Sequence, residues 1–70
     1  MNKRSIKITD LDFSVRCLNT LKQNNIEYLG ELTQYSLLDL ANFKGMNRTT
    51  INRIVKMLKD NDMSLKAEAL

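Results

Sequence analysis

Between Leu40 and Ile54 the chain reads Leu40-Ala41-Asn42-Phe43-Lys44-Gly45-Met46-Asn47-Arg48-Thr49-Thr50-Ile51-Asn52-Arg53-Ile54, and this stretch holds residue types suited to binding an anion. Apolar residues flank a Gly-apolar-Asn turn, the pattern of a helix-hairpin-helix. Gly45 permits a sharp turn and a close backbone approach, and Asn47 is among the few residues that tolerate positive φ. Met46, between them, is placed to pin the turn to a core. The N–H groups that open the second helix have no partner inside it, so they suit a phosphate oxygen. Arg48, Thr49 and Thr50 stand in that first turn and can add contacts to phosphate. An ordinary αα-hairpin, with Asn47 as a plain N-cap and no ligand, fits the same residues equally well.

Other chemistry is largely excluded. The chain has no histidine, which removes the usual general base at neutral pH and every His-based metal site. Cys17 is the only cysteine, so neither an internal disulfide nor a Cys-based zinc site can form. No base stands near Cys17 to activate it, and it reads as a half-buried packing residue. Met1, Met46, Met57 and Met63 read as start, core pin and gap fillers. Tyr28 and Tyr35 read as residues covering the core edge. No apolar run approaches the roughly 18 residues of a membrane span, and no signal segment follows the basic start. The expectation is a soluble, cytoplasmic, monomeric non-enzyme with no metal and no cofactor.

The elements that must position the hairpin come from a chain of 70 residues, which is one small domain. Zero prolines, two glycines and no alternating pattern predict an all-α bundle of about five short helices. Ile51, Ile54, Val55 and Leu58 predict a last helix over about 48–60, with Asn47 as N-cap and Asn61 as a left-handed stop. Val15, Leu18 and Leu21 predict a first helix over about 13–24, capped by Asp12 or Ser14 and stopped by Asn24-Asn25. Ile26, Leu29 and Leu32 suggest tight turns around Gly30. Ser36 opens a short helix that stops at Phe43-Lys44-Gly45. The expected core is Val15, Leu18, Leu21, Leu32, Leu40, Ile51, Ile54, Val55 and Leu58. Residues 1–7 read as a basic tail, extending to about residue 8, with a domain over 8–66 and a frayed end over 67–70.

Eleven Lys/Arg against eight Asp/Glu give a net charge of +3. Lys3, Arg4 and Lys7 supply that excess at the N-terminus, while residues 8–66 are nearly balanced. Bulk charge alone therefore does not establish a nucleic-acid partner.

The chain resembles the C-terminal domain of the bacterial RNA polymerase α subunit over residues 8–65. The resemblance rests on Ile8-Thr9-Asp10-Leu11-Asp12-Phe13-Ser14-Val15-Arg16, on Leu21-Lys22, on Asn25-Ile26 with Tyr28-Leu29-Gly30-Glu31-Leu32, on the hairpin, and on Met63-Ser64-Leu65. It implies a compact five-helix module that binds A·T-rich promoter DNA through the minor groove and touches sigma factors and transcription activators. Arg16 matches the arginine that enters the minor groove, and Asn19 an asparagine one turn later. A guanidinium suits the negative potential of a narrow A-tract groove. Thr20 replaces a small backbone-contacting residue. Gly45, Asn47 and Thr50 fall on DNA-contact positions, with Asn47 replacing glycine and Thr50 replacing serine. Thr49 stands where lysine is usual. Arg48 is adjacent but rotated by about 100° on a helix. Arg53 replaces an acidic residue and offers a further phosphate contact.

Asp10 and Asp12 match acidic positions that face sigma factor; as plain residues they complement a helix N-terminus. Residues 1–7 are too short for the assembly domain of a polymerase α subunit. The chain therefore reads as a free-standing copy, such as a phage or mobile-element regulator, or as an excised domain. The function that follows is a transcription-related module on double-stranded DNA, with RNA polymerase, sigma factor or activators as protein partners. The rival is an adaptor that binds polymerase, sigma or a regulator and leaves DNA alone. For two to four neutralised phosphates, the DNA reading expects a salt slope of about −2 to −4 and weak binding.

Overall fold

Three α-helices follow one another along the sequence, and each starts at a short polar residue that caps it. The computed structural model describes residues 2–68. The helices are α1 (Val15–Gln23), α2 (Leu37–Ala41) and α3 (Arg48–Asp60), with 3₁₀-helices at Lys3–Ser5 and Ile8–Asp10 before α1 and at Leu29–Gln34 between α1 and α2. The Ser14, Ser36 and Asn47 side chains accept the backbone N–H groups of Cys17, Asp39 and Thr50, each satisfying one orphan donor of its helix. Asp39 accepts the Ser36 N–H in return and completes a capping box on α2. The expected last helix matches α3, and the first is shorter than expected at both ends.

With so few glycines, asparagine does the stopping. Asn24, Asn42 and Asn61 stand at the three C-caps. Each Nδ2 donates to the carbonyl four residues back, at 2.8 Å to Thr20, 3.0 Å to Leu38 and 2.8 Å to Met57. After α1 and α3 the next residue takes the left-handed conformation, Asn25 at φ 63 and Asp62 at φ 62. Ile26 and Met63 then donate to the Leu21 and Leu58 carbonyls, which makes both ends Schellman motifs. The left-handed stop thus falls on Asp62. Asn61, expected there, has φ −112, and its N–H still bonds the helix.

The core draws on all three α-helices and on two of the 3₁₀-helices: Ile8, Phe13, Cys17, Leu21, Ile26, Leu29, Leu32, Leu40, Ile54 and Leu58 are buried. Two expected core residues are corrected, for Val15 is 74% exposed and Val55 41% exposed. The buried lines are instead Cys17–Thr20–Leu21 on α1 and Thr50–Ile54–Leu58 on α3. A hydrophobicity pattern passes over the threonines, yet spacings of three and four residues put them on the buried face. Leu18 and Ile51 are half-buried against the core, and Cys17 is fully buried where half-burial was expected. Met46 packs on the core as a pin, and Tyr35 meets Phe43 edge to face with centroids 5.0 Å apart.

The N-terminal residues expected as a tail are part of this packing. Asn2 caps the first 3₁₀-helix, which lies on the third at Gly30. A Cβ at Gly30 would lie 2.6 Å from the Arg4 Cβ and 2.8 Å from its carbonyl oxygen. The Arg4 guanidinium donates to Thr33 Oγ1 at 2.9 Å, and Lys3 pairs with Asp62 beyond α3. An isolated antiparallel bridge joins Lys7 to Tyr28, and Ile8, its N–H bonded to the Glu27 carbonyl, is 1% exposed. At the other end, the Lys66 N–H bonds the Tyr35 carbonyl and Glu68 accepts the Leu38 N–H. The rest of the expected frayed end, residues 69 and 70, lies outside the described residues. No strand occurs among the described residues. The radius of gyration is 11.1 Å, close to the roughly 11 Å of a compact protein this long.

Candidate nucleic-acid interface

The hairpin is the join of α2 to α3. Gly45 has φ +77, the conformation that most side chains avoid, and the Met46 N–H bonds the Phe43 carbonyl at 3.1 Å. Asn47 does not share that conformation. Its φ is −145, extended, and its Oδ1 accepts the Thr50 N–H at 2.8 Å. The tolerance for positive φ noted at Asn47 is thus not used, because an N-cap requires β-region backbone. Arg48 and Thr49 are exposed, and no acceptor among the described residues takes their N–H groups. Those two amides are the open N-terminal donors of α3.

The hairpin rests against α1. Arg16, Thr20 and Asn24 form one line along α1, four residues apart, with Asn19 and Gln23 beside it. Thr20 Oγ1 donates to the Arg16 carbonyl at 3.1 Å and reaches the Gly45 carbonyl at 3.5 Å. Asn24 Nδ2 donates to the Lys44 carbonyl at 3.0 Å, and the Lys44 N–H donates back to Asn24 Oδ1 at 3.1 Å. A Cβ on Gly45 would lie 3.4 Å from Gln23 Oε1. The face of α1 that holds the turn therefore continues directly into Arg16 and Asn19, both exposed.

The residues named from sequence divide accordingly. Arg16, Asn19, Gly45 and Asn47 are on or beside the α1–hairpin junction; Arg16 and Gly45 are exposed, and Asn19 and Asn47 lie open beside them. Thr20 and Thr50 are 5% and 2% exposed, so neither is placed to touch a ligand with its side chain. Thr20 spends its hydroxyl inside the protein, locking the junction. Thr49 and Arg53 line a cleft between α3 and the start of α1, together with Phe13 and Cys17. Arg48 lines a neighbouring depression with Leu37, Ala41 and Ile51, consistent with the offset of about 100° from Thr49. Arg53 is not a free cation: its guanidinium donates to the Asp12 carbonyl at 3.0 Å and lies 3.6 Å from the Asp12 carboxylate. Asp10 is exposed in the second 3₁₀-helix, and the Asp12 side chain is 99% exposed.

Asn24 and Gln23 were passed over as site residues. The signal was present as the four-residue series from Arg16 through Thr20, but nothing in the sequence says which loop that series meets. Among the described residues no group of His, Cys, Asp and Glu could hold a metal ion, and no helix is long and apolar enough to cross a membrane.

Residues 1–60 match the family model for the C-terminal domain of the bacterial RNA polymerase alpha chain. The DNA-directed RNA polymerase subunit alpha of Bacteroides fragilis is 34% identical over 58 residues, which is 83% of this chain and 18% of the relative. The subunit of the same name from Ureaplasma parvum is 34% identical over 64 residues, 91% of this chain and 20% of the relative. The chain thus spans about a fifth of the length of the curated relatives it matches.

Proposed function

The protein belongs to the family of C-terminal domains of the bacterial RNA polymerase alpha subunit, and from that premise we propose that this transcription-related domain binds A·T-rich double-stranded DNA through the minor groove and performs no catalysis itself. RNA polymerase, sigma factor or a transcription activator would be its protein partner, with Asp10 and Asp12 as the acidic contact surface. The observation that carries the DNA reading is the docking of the hairpin on the Arg16 line of α1. It fixes the turn that leads to the open Arg48 and Thr49 amides on the helix that also carries the exposed Arg16 and Asn19. The amides and Lys44 would hold a phosphate strand while Arg16 enters the groove, because backbone contacts position and groove contacts select.

Arg16, Lys44 and Arg48 are exposed and in no ion pair among the described residues. Three such cations set a salt slope of about −2 to −3, with affinity near the non-specific range of about 10⁻⁴–10⁻⁶ M. The test is a titration with A·T-rich and G·C-rich duplexes of equal length at two salt concentrations, for the wild type and Arg16→Ala. The expected result is a modest A·T preference that Arg16→Ala abolishes with no change in the melting curve. Absence of binding at low salt, or a preference that survives Arg16→Ala, would refute it. A second reading, an adaptor that binds a polymerase component or regulator without DNA, is favoured by one contact: Asp12 occupies Arg53 and withdraws a cation from the phosphate side.

A further inference from the structure

Three asparagines end the three helices with the same bond, and one of them does more. Asn42 and Asn61 each use Nδ2 to reach the carbonyl four residues back, which satisfies one orphan acceptor of the helix end. Asn24 makes that bond to Thr20 and two more, both to the backbone of Lys44, twenty residues away in sequence. All three side-chain bonds need an amide. Two hydrogens on Nδ2 meet the Thr20 and Lys44 carbonyls, and Oδ1 meets the Lys44 N–H. A carboxylate would face two carbonyl oxygens, and an apolar side chain would make none of the bonds. Lys44 is the residue immediately before Gly45, whose positive φ turns the backbone toward Asn47 and the open amides of α3.

We propose that Asn24 is a positioning residue for DNA recognition, fixing the hairpin in register with Arg16 so that phosphate and groove contacts are made together. This rests on the DNA reading given above and adds to it a residue that touches no DNA. Arg16 and the open amides belong to different helices. Their relative placement passes through the junction that the Asn24 pair closes, with the long Thr20 contact as the only other hydrogen bond to the turn from α1 among the described residues. If the turn is free to shift, the fraction of molecules presenting both halves falls. The A·T-rich duplex, which alone gains from the groove contact, then loses apparent affinity by that fraction, while binding through phosphate contacts alone is kept.

The experiment compares the 70-residue chain with Asn24→Ala, Asn24→Asp and Asn61→Ala, the last removing an equivalent helix cap at the other end of α3 from the hairpin. Binding to A·T-rich and G·C-rich duplexes is read by fluorescence anisotropy, and amide hydrogen exchange of Lys44 is read without DNA. Asn24→Ala and Asn24→Asp are expected to bring the A·T-to-G·C affinity ratio down toward one, because phosphate contacts made without Arg16 in the groove do not distinguish the duplexes. In Asn24→Ala the Lys44 amide should also exchange faster. Asn61→Ala should move the melting curve alone. A simple loss of stability lowers the folded fraction equally for both duplexes, so it leaves the ratio in place. Wild-type protection of Lys44 in Asn24→Ala overturns the clamp, whatever the DNA result. Faster exchange with an unchanged ratio overturns the positioning role while the DNA reading stands. Wild-type protein that binds neither duplex overturns both.

Discussion

Gly45→Ala tests whether the hairpin depends on backbone conformation or on space. An added Cβ meets nothing closer than Gln23 Oε1 at 3.4 Å and Thr20 Oγ1 at 3.9 Å. Gln23 is exposed, so its amide can swing away, and crowding contributes little. The cost comes from φ +77. An L-residue in that region is disfavoured by about 1–2 kcal/mol. The stiffer unfolded state of the alanine variant offsets about 0.4–1 kcal/mol. The net loss is about 1 kcal/mol, which for a domain of this size lowers Tm by about 4–8 °C. Gly45→Asn should lose less, because asparagine visits the left-handed region more readily. Thermal unfolding followed by circular dichroism at about 222 nm, where helical peptide groups absorb, measures all three proteins. If Gly45→Ala melts at the wild-type temperature, the positive φ is not a constraint of the fold. If Gly45→Asn loses as much as Gly45→Ala or more, contact with the α1 side chains rather than backbone strain decides the position.

Gly30→Ala should be destabilising for the opposite reason, since its Cβ would collide with the Arg4 backbone and Cβ. A loss of about 1–3 kcal/mol is expected in denaturant unfolding, and a loss that disappears when residues 2–5 are deleted would confirm the source. Asp12→Ala removes the carboxylate beside Arg53 while keeping the backbone carbonyl that Arg53 bonds. With that competing charge gone, the salt slope of DNA binding should steepen by up to about 0.9, and an unchanged slope would mean that the guanidinium stays on the carbonyl or lies out of reach of the duplex. The hydrogen bond and charge of Lys3 hold the exposed Asp62 carboxyl below the usual carboxylate range. A depressed folded-state pKa stabilises above the unfolded value and is lost as pH falls through the folded one, so the melting difference between wild type and Lys3→Ala should shrink below about pH 4. A difference that stays constant from neutral pH into strong acid would show that Lys3 acts through packing alone.

The sequence carried the helices well because their ends are local. Ser14, Ser36 and Asn47 are short polar residues that cap the turn following them, and α3 begins and ends within the expected span. What it carried poorly depends on contacts between distant residues. Thr20 and Thr50 looked like outward-facing hydroxyls, yet the neighbouring elements cover both. Val15 and Val55 looked like core residues, but the neighbours of α1 and α3 meet the lines through Cys17–Leu21 and Thr50–Ile54–Leu58 instead. The basic N-terminus looked like a solvated tail because its charges were counted and its docking surface was invisible. Gly30 is that surface, and only folding brings Arg4 to it. Of the candidate site, Arg16, Asn19 and the open amides could be named in advance, whereas the Asn24 pair and the diversion of Arg53 to Asp12 could not.

The use of asparagine in place of glycine at helix ends ties stability to the site. A glycine at a helix stop supplies only backbone freedom. An asparagine at the C-cap supplies a side-chain amide whose second hydrogen and whose oxygen remain available once the helix carbonyl is satisfied. At Asn42 and Asn61 no further side-chain bond forms among the described residues, and the residue acts as a cap. At Asn24 the spare donor and acceptor meet the peptide of Lys44, so the atom group that ends α1 also holds the hairpin. One side chain thus serves both the end of α1 and the turn between α2 and α3. A domain of 70 residues has a small core and marginal stability. In such a domain, a side chain that caps one helix and holds a turn as well satisfies several backbone groups without adding to the core.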